Sequence, residues 1–160
     1  IEKKIITAAS LIDASPLDLS TVRGVYRPEN YDKDFRGLVP VRTALASSLN
    51  IPAVRTLNLV GVTEFIAKLR EVGFGSLMDS EFYGPSLALG TADVTLWELV
   101  DAYRTLANGG LRSKMRLSPE EKSNDPKRVL SREAISSDIQ AGAATPRPTS
   151  TRLPTRFRTM

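Results

Sequence analysis

A threonine and a glutamate three residues apart, Thr95 and Glu98, open a segment that can fold in essentially one way. A Thr side chain at the N-cap takes the backbone N–H three residues on, and the Glu there reaches back to the cap's own N–H, so helix entry is fixed at this point. Leu96, Leu99, Val100, Tyr103, Leu106 and Ala107 then recur at helical spacing, and Asn108, Gly109 and Gly110 end the run. The pattern predicts an amphipathic helix from 96 to about 107.

Upstream, the same punctuation predicts three shorter helices. Pro40 suits a first helical turn, because its φ is preset and its missing N–H is not needed there, so a helix is expected from Pro40 to about Leu49. Asn50 and the Ile51-Pro52 pair should end it, since a residue before proline avoids the α region. A second helix is expected over Pro52 to Val60, closed by Gly61. A third, capped by Thr63, carries Phe65, Ile66, Leu69 and Val72 on one face and stops at Gly73. Pro16 to Gly37 reads as irregular chain with turns at residues 27–30 and 32–34, Ser86 to Gly90 as a buried strand or loop, and Ser131 to Ile139 as a last helix. From Ala141 the composition changes to Pro, Thr and Arg, so two units are expected: a domain over 1–140 and a disordered tail over 141–160.

Composition removes much chemistry. The 160 residues contain no His and no Cys, which excludes a Ser-His-Asp triad, a thiol nucleophile and His or thiolate metal sites. A serine or a carboxylate must do any catalysis, with Lys, Tyr or a carboxylate as base. No glycine-rich phosphate loop is present, and Asp32, Asp34, Glu120 and Glu121 read as turn and cap residues, so no cofactor and no metal is expected. The net charge of +4 lies entirely on Arg147, Arg152, Arg156 and Arg158. Four arginines with no interleaved aromatic platform predict no nucleic-acid partner. No apolar run is long enough to span a membrane, and a chain that opens on Ile1 reads as an excerpt.

One triplet stands out. Ser48-Leu49-Asn50 sits where a helix terminates, and by itself it reads as a C-cap with Asn50 left-handed and the serine bonded back to the helix. Its surroundings change that reading. The run from Arg27 to Asp32 (RPENYD), then Arg36 to Val54 with its alanine-rich helix and S-x-N-x-P-A-V, and finally Ser86 to Gly110 with A-L-G, V-T, E, A-Y and L-A-N-G-G occur in one order. Together they resemble the transpeptidase domain of class A penicillin-binding proteins, in detail the type-1C branch, over about Ala9 to Gly110 and more weakly over Val129 to Ile139.

That resemblance implies an α+β fold of the penicillin-binding protein/serine β-lactamase type, represented here mainly by its helical part. It implies a D,D-transpeptidase that works on peptidoglycan stem peptides and is trapped by β-lactams, in a periplasmic parent with a glycosyltransferase domain and an inner-membrane anchor. The family's site joins Ser-x-x-Lys, Ser-x-Asn and Lys-Thr-Gly. By position Ser48 and Asn50 match the second motif: the hydroxyl of Ser48 would relay a proton between the lysine and the leaving nitrogen, and the amide of Asn50 would bind the acyl donor's backbone and steady that lysine. No serine here is followed three residues on by lysine, and none of the seven lysines precedes Thr-Gly. The expectation is an incomplete, inactive piece, truncated at the front and interrupted or frame-shifted at the back. A non-catalytic peptide-binding or assembly module on the same helices is the alternative.

Overall fold

The computed structural model describes residues 1–136, apart from 22–23 and 123. The expected disordered tail at 141–160 and the end of the expected last helix lie outside the described residues, within which 132–136 are helical.

Strand β1 (Leu11–Asp13) pairs antiparallel with β4 (Leu38–Pro40), Leu11 opposite Pro40 and Asp13 opposite Leu38. Between them β2 (Leu19–Thr21) pairs with β3 (Gly24–Tyr26). These two strands replace part of the irregular chain expected from Pro16 to Gly37. Each has three residues, too few for a period of two to register in a sequence.

Helix α1 (Val41–Ala46) follows directly, with Pro40 as its N-cap instead of its first residue. Helix α2 (Asn50–Val60) and α3 (Val62–Val72) meet at Gly61, whose φ of +90° lets one helix stop and the next start without a linker. Thr63 does not cap α3; its hydroxyl donates to Ser80 Oγ at 3.0 Å, and Gly61 holds the cap position. A short α4 (Ser80–Tyr83) runs into a 3₁₀ helix over Gly84–Leu89, where a strand or loop was expected, and α5 (Leu96–Ala107) closes the helical layer. A last antiparallel pair joins β5 (Leu111–Arg112) to β6 (Lys127–Arg128).

Three apolar clusters hold these pieces. Ile12, Ala14, Val39, Ala44 and Leu49 tie the β1–β4 pair to α1; Leu57, Ile66, Leu77 and Leu87 gather α2, α3 and the 3₁₀ helix; and Val72, Ala102 and Val129 join α3, α5 and the chain beyond β6. The capping box forms as predicted, Thr95 Oγ1 accepting from Glu98 N at 3.2 Å and Glu98 Oε2 from Thr95 N at 3.0 Å. The side of α5 that packs is different from the one its pattern suggests. Leu96 is 76% exposed and Tyr103 66%, whereas Asp101, Ala102 and Thr105 are buried. The helix is docked by its small and polar stripe because Asp101 accepts from both Arg104 Nη2 at 2.8 Å and Arg112 Nε at 3.1 Å, fixing that stripe inward.

Candidate active-site wall at the α1–α2 turn

Helix α1 stops at Ala46, and Ser47 caps it by donating its N–H to Thr43 O. Ser48 then takes φ +53°, a left-handed conformation that costs a non-glycine residue about 1 kcal/mol or more. The turn swings Leu49 inward: its N–H reaches Ala44 O at 3.0 Å, and its side chain, 5% exposed, enters the first cluster. Burial of that leucine is what holds the strained serine. The left-handed residue is therefore Ser48, not Asn50 as the C-cap reading has it, and Asn50 begins the next helix instead of ending the previous one. Pro52 falls in the first turn of α2, where its lack of an N–H costs nothing.

Because Leu49 at the N-cap of α2 has no side-chain acceptor, the helix takes one from elsewhere. Asn30, only 3% exposed, accepts from Ile51 N at 3.2 Å through Oδ1 and donates from Nδ2 to Asp34 O at 2.9 Å. In the other direction Asn50 Nδ2 donates to Glu29 O at 2.8 Å. A carbonyl oxygen can only accept, so the Asn50 amide has its nitrogen turned to Glu29, and its oxygen has no partner among the described residues. Arg55, one turn further along α2, binds Ser15 O, Pro16 O and Asp13 Oδ2, each at 3.3 Å, and fastens the helix to the end of β1.

Ser48, Leu49 and Asn50 all line one cavity of about 600 Å³. Most of its wall is apolar, with Val41, Ala44 and Leu45 from α1, Ala53 and Leu57 from α2, and Ala88 and Leu89 from the 3₁₀ helix. Ser48 is exposed, and its hydroxyl is unpartnered among the described residues. The one ionisable side chain in the lining is Glu2. Its carboxylate is already taken by Ser131 N at 3.0 Å and Ser131 Oγ at 2.8 Å, and those hydrogen bonds, the backbone one foremost, hold its pKa below the usual glutamate value. It is thus an occupied anion and not a poised base. Among the described residues the wall offers a hydroxyl and an amide but no group tuned to take a nucleophile's proton.

The structure places Ser48 and Asn50, the two residues singled out from the sequence, on one cavity, and adds Asn30 and Glu2, which the sequence reading passed over. Asn30 lies inside the R-P-E-N-Y-D run and carried a signal, but a turn assignment absorbed it. Glu2 carries none, since its partner is 129 residues away.

Helices packed on short antiparallel pairs, with a Ser-x-Asn turn opening on an apolar cavity, make up a mixed α+β fold of the penicillin-binding protein type. A family model described as "Penicillin binding protein transpeptidase domain" matches residues 1–143, and the chain belongs to that family. Penicillin-binding protein 1C of Escherichia coli is 37% identical over 122 residues, and penicillin-binding protein 1A of Pseudomonas aeruginosa is 33% identical over 144. These alignments cover 76% and 84% of this chain but 15% and 17% of the relatives, so the chain spans about a sixth of their length. Among solved structures, penicillin-binding protein 1A from Haemophilus influenzae superposes with a TM-score of 0.65 at 28% identity, over 78% of this chain and 18% of that one. Penicillin-binding protein A of M. tuberculosis, solved as an imipenem acyl-enzyme complex, shares the fold at a TM-score of 0.68 and 17% identity, over 87% and 39%.

Proposed function

We propose that this chain forms the Ser-x-Asn wall of a D,D-transpeptidase site that takes peptidoglycan stem peptides and β-lactams, and that the 160 residues alone do not form an acyl-enzyme. The observation that carries the reading is the joint presence of Ser48 and Asn50 on the rim of one apolar cavity. In this role the Ser48 hydroxyl donates its proton to the leaving amide nitrogen while accepting one from a lysine ammonium. The net movement is one proton from lysine to leaving group, as the bond between acyl carbon and nitrogen breaks. Asn50 holds the donor peptide's backbone and the lysine in line, which lowers the entropic part of the barrier. The same family membership favours a periplasmic setting in a membrane-anchored parent.

The test is incubation of the purified chain with a fluorescent penicillin, followed by denaturing electrophoresis and intact mass. No covalent adduct is expected. A stoichiometric ester at any serine overturns the claim of incompleteness, and an ester at Ser48 overturns its assignment as a relay.

A further inference from the structure

We infer that Asn30 is the positioning residue of the Ser48/Asn50 wall, a helix cap supplied from outside the helix that fixes which face of the Asn50 amide is offered to a ligand; this rests on the site reading above. Three observations carry it. Leu49, at the N-cap, cannot satisfy the first N–H groups of α2, and the carboxamide of Asn30, 21 residues upstream, accepts from Ile51 N in its place. Among the described residues Asn30 is one of three buried polar or charged ones, and both ends of its amide are used, since Nδ2 is anchored on Asp34 O at 2.9 Å. Finally, the residue before it, Glu29, supplies the carbonyl that takes Asn50 Nδ2 at 2.8 Å. The two bonds cross: side chain 30 to backbone 51, side chain 50 to backbone 29. Each holds the other's geometry, because a shift of the 29–34 loop that lengthens one lengthens both.

The consequence is chemical. With its nitrogen on Glu29, Asn50 presents its oxygen as an acceptor, which suits an N–H of a peptide or an ammonium group and disfavours a bare carbonyl at that atom. Without Asn30 the loop carbonyl is released and the amide can rotate, so the wall loses its polarity and not merely its stability.

The experiment uses the full ¹⁵N-labelled chain, with an N-acylated peptide ending in D-Ala-D-Ala as probe. In Asn30→Ala, hydrogen exchange of the Ile51 amide should quicken about tenfold while Val54 and Leu57 keep their protection. The Asn50 side-chain amide should lose its protected proton, and peptide affinity should weaken about tenfold. Asn50→Ala removes the other bond of the pair and should quicken Ile51 exchange as well. Unchanged Asn50 amide signals and affinity in Asn30→Ala overturn the inference, as does a folded Asn50→Ala chain whose Ile51 amide keeps its protection. If Asn30→Ala fails to fold, Asn50→Ala decides alone. If the unmutated chain shows no peptide-induced shift at Asn50, the site reading falls, and the exchange data still decide the positioning role.

Discussion

Gly110 is where a single residue has least freedom. It sits at φ +83°, and a methyl group there would lie 2.3 Å from Leu130 O, a backbone atom that cannot swing away. Its carbonyl meanwhile accepts from Val129 N at 2.9 Å, so the close approach is what brings the last described segment onto α5. Gly110→Ala should therefore lower stability by about 2 kcal/mol or more, read as a lower urea midpoint at unchanged slope. Glu98 is tuned by hydrogen bonds instead: the backbone N–H groups of Thr95 and then of Ser76 pull its carboxyl from 4.5 to about 2. A depressed folded pKa means that this stabilisation is complete above pH 4.5 and is lost as pH falls towards 2. Glu98→Gln, which keeps one acceptor oxygen for Thr95 N and loses the one that takes Ser76 N, should cost about 1 kcal/mol at pH 7 and should flatten the pH dependence of stability in that acid window. Chemical denaturation at several pH values checks both.

At the level of elements, the start of α5 and the glycine stops were legible, whereas the α1–α2 join, the cap of α3 and the orientation of α5 were not. The Thr95–Glu98 box, Gly61, Gly73 and the Asn108-Gly109-Gly110 stop all act locally, through hydrogen bonds within a turn or so, and sequence reports such contacts directly. Which side of α5 faces inward is set by Arg112 and Val129, from later in the chain, and the helical pattern of Leu96, Leu99, Val100 and Tyr103 points the other way. The α1–α2 join was misplaced for a related reason. Burial of Leu49, a tertiary event, decides that Ser48 is left-handed, whereas local propensity favours Asn50. If α5 is docked as described, Leu96→Ser and Tyr103→Ser should each change stability by less than about 0.5 kcal/mol, while Ala102→Leu should cost about 1–3 kcal/mol through overpacking. Thermal denaturation followed by circular dichroism separates the two outcomes.

Across the whole molecule, family and fold class were readable because several short motifs keep their order along the chain. The polar contacts that tie one segment to another were not: Glu2 with Ser131, Lys68 Nζ with Val129 O at 3.2 Å, and Asp101 with Arg112. No periodicity marks such pairs. Asp101 is the most buried of these charged groups, its side chain 9% exposed against 29% for Arg104 and 38% for Arg112. It also packs under Gly73, whose added Cβ would meet Asp101 Oδ2 at 3.0 Å, so one carboxylate touches the end of α3, the middle of α5 and strand β5. Removing it takes the carboxylate from two guanidinium groups, leaving Arg104 on Ser113 and Arg112 on Glu71 O, and opens a gap beneath Gly73. Asp101→Ala should therefore destabilise by about 3 kcal/mol, in the range found when one partner of a buried pair is deleted. Asp101→Asn, which keeps the shape and one acceptor oxygen, should lose less. Urea titration of both variants discriminates: a loss under about 0.5 kcal/mol in Asp101→Ala would put this contact among ordinary surface ion pairs and leave Ala102 packed against Val72 and Val129 as the join that holds α5 in place.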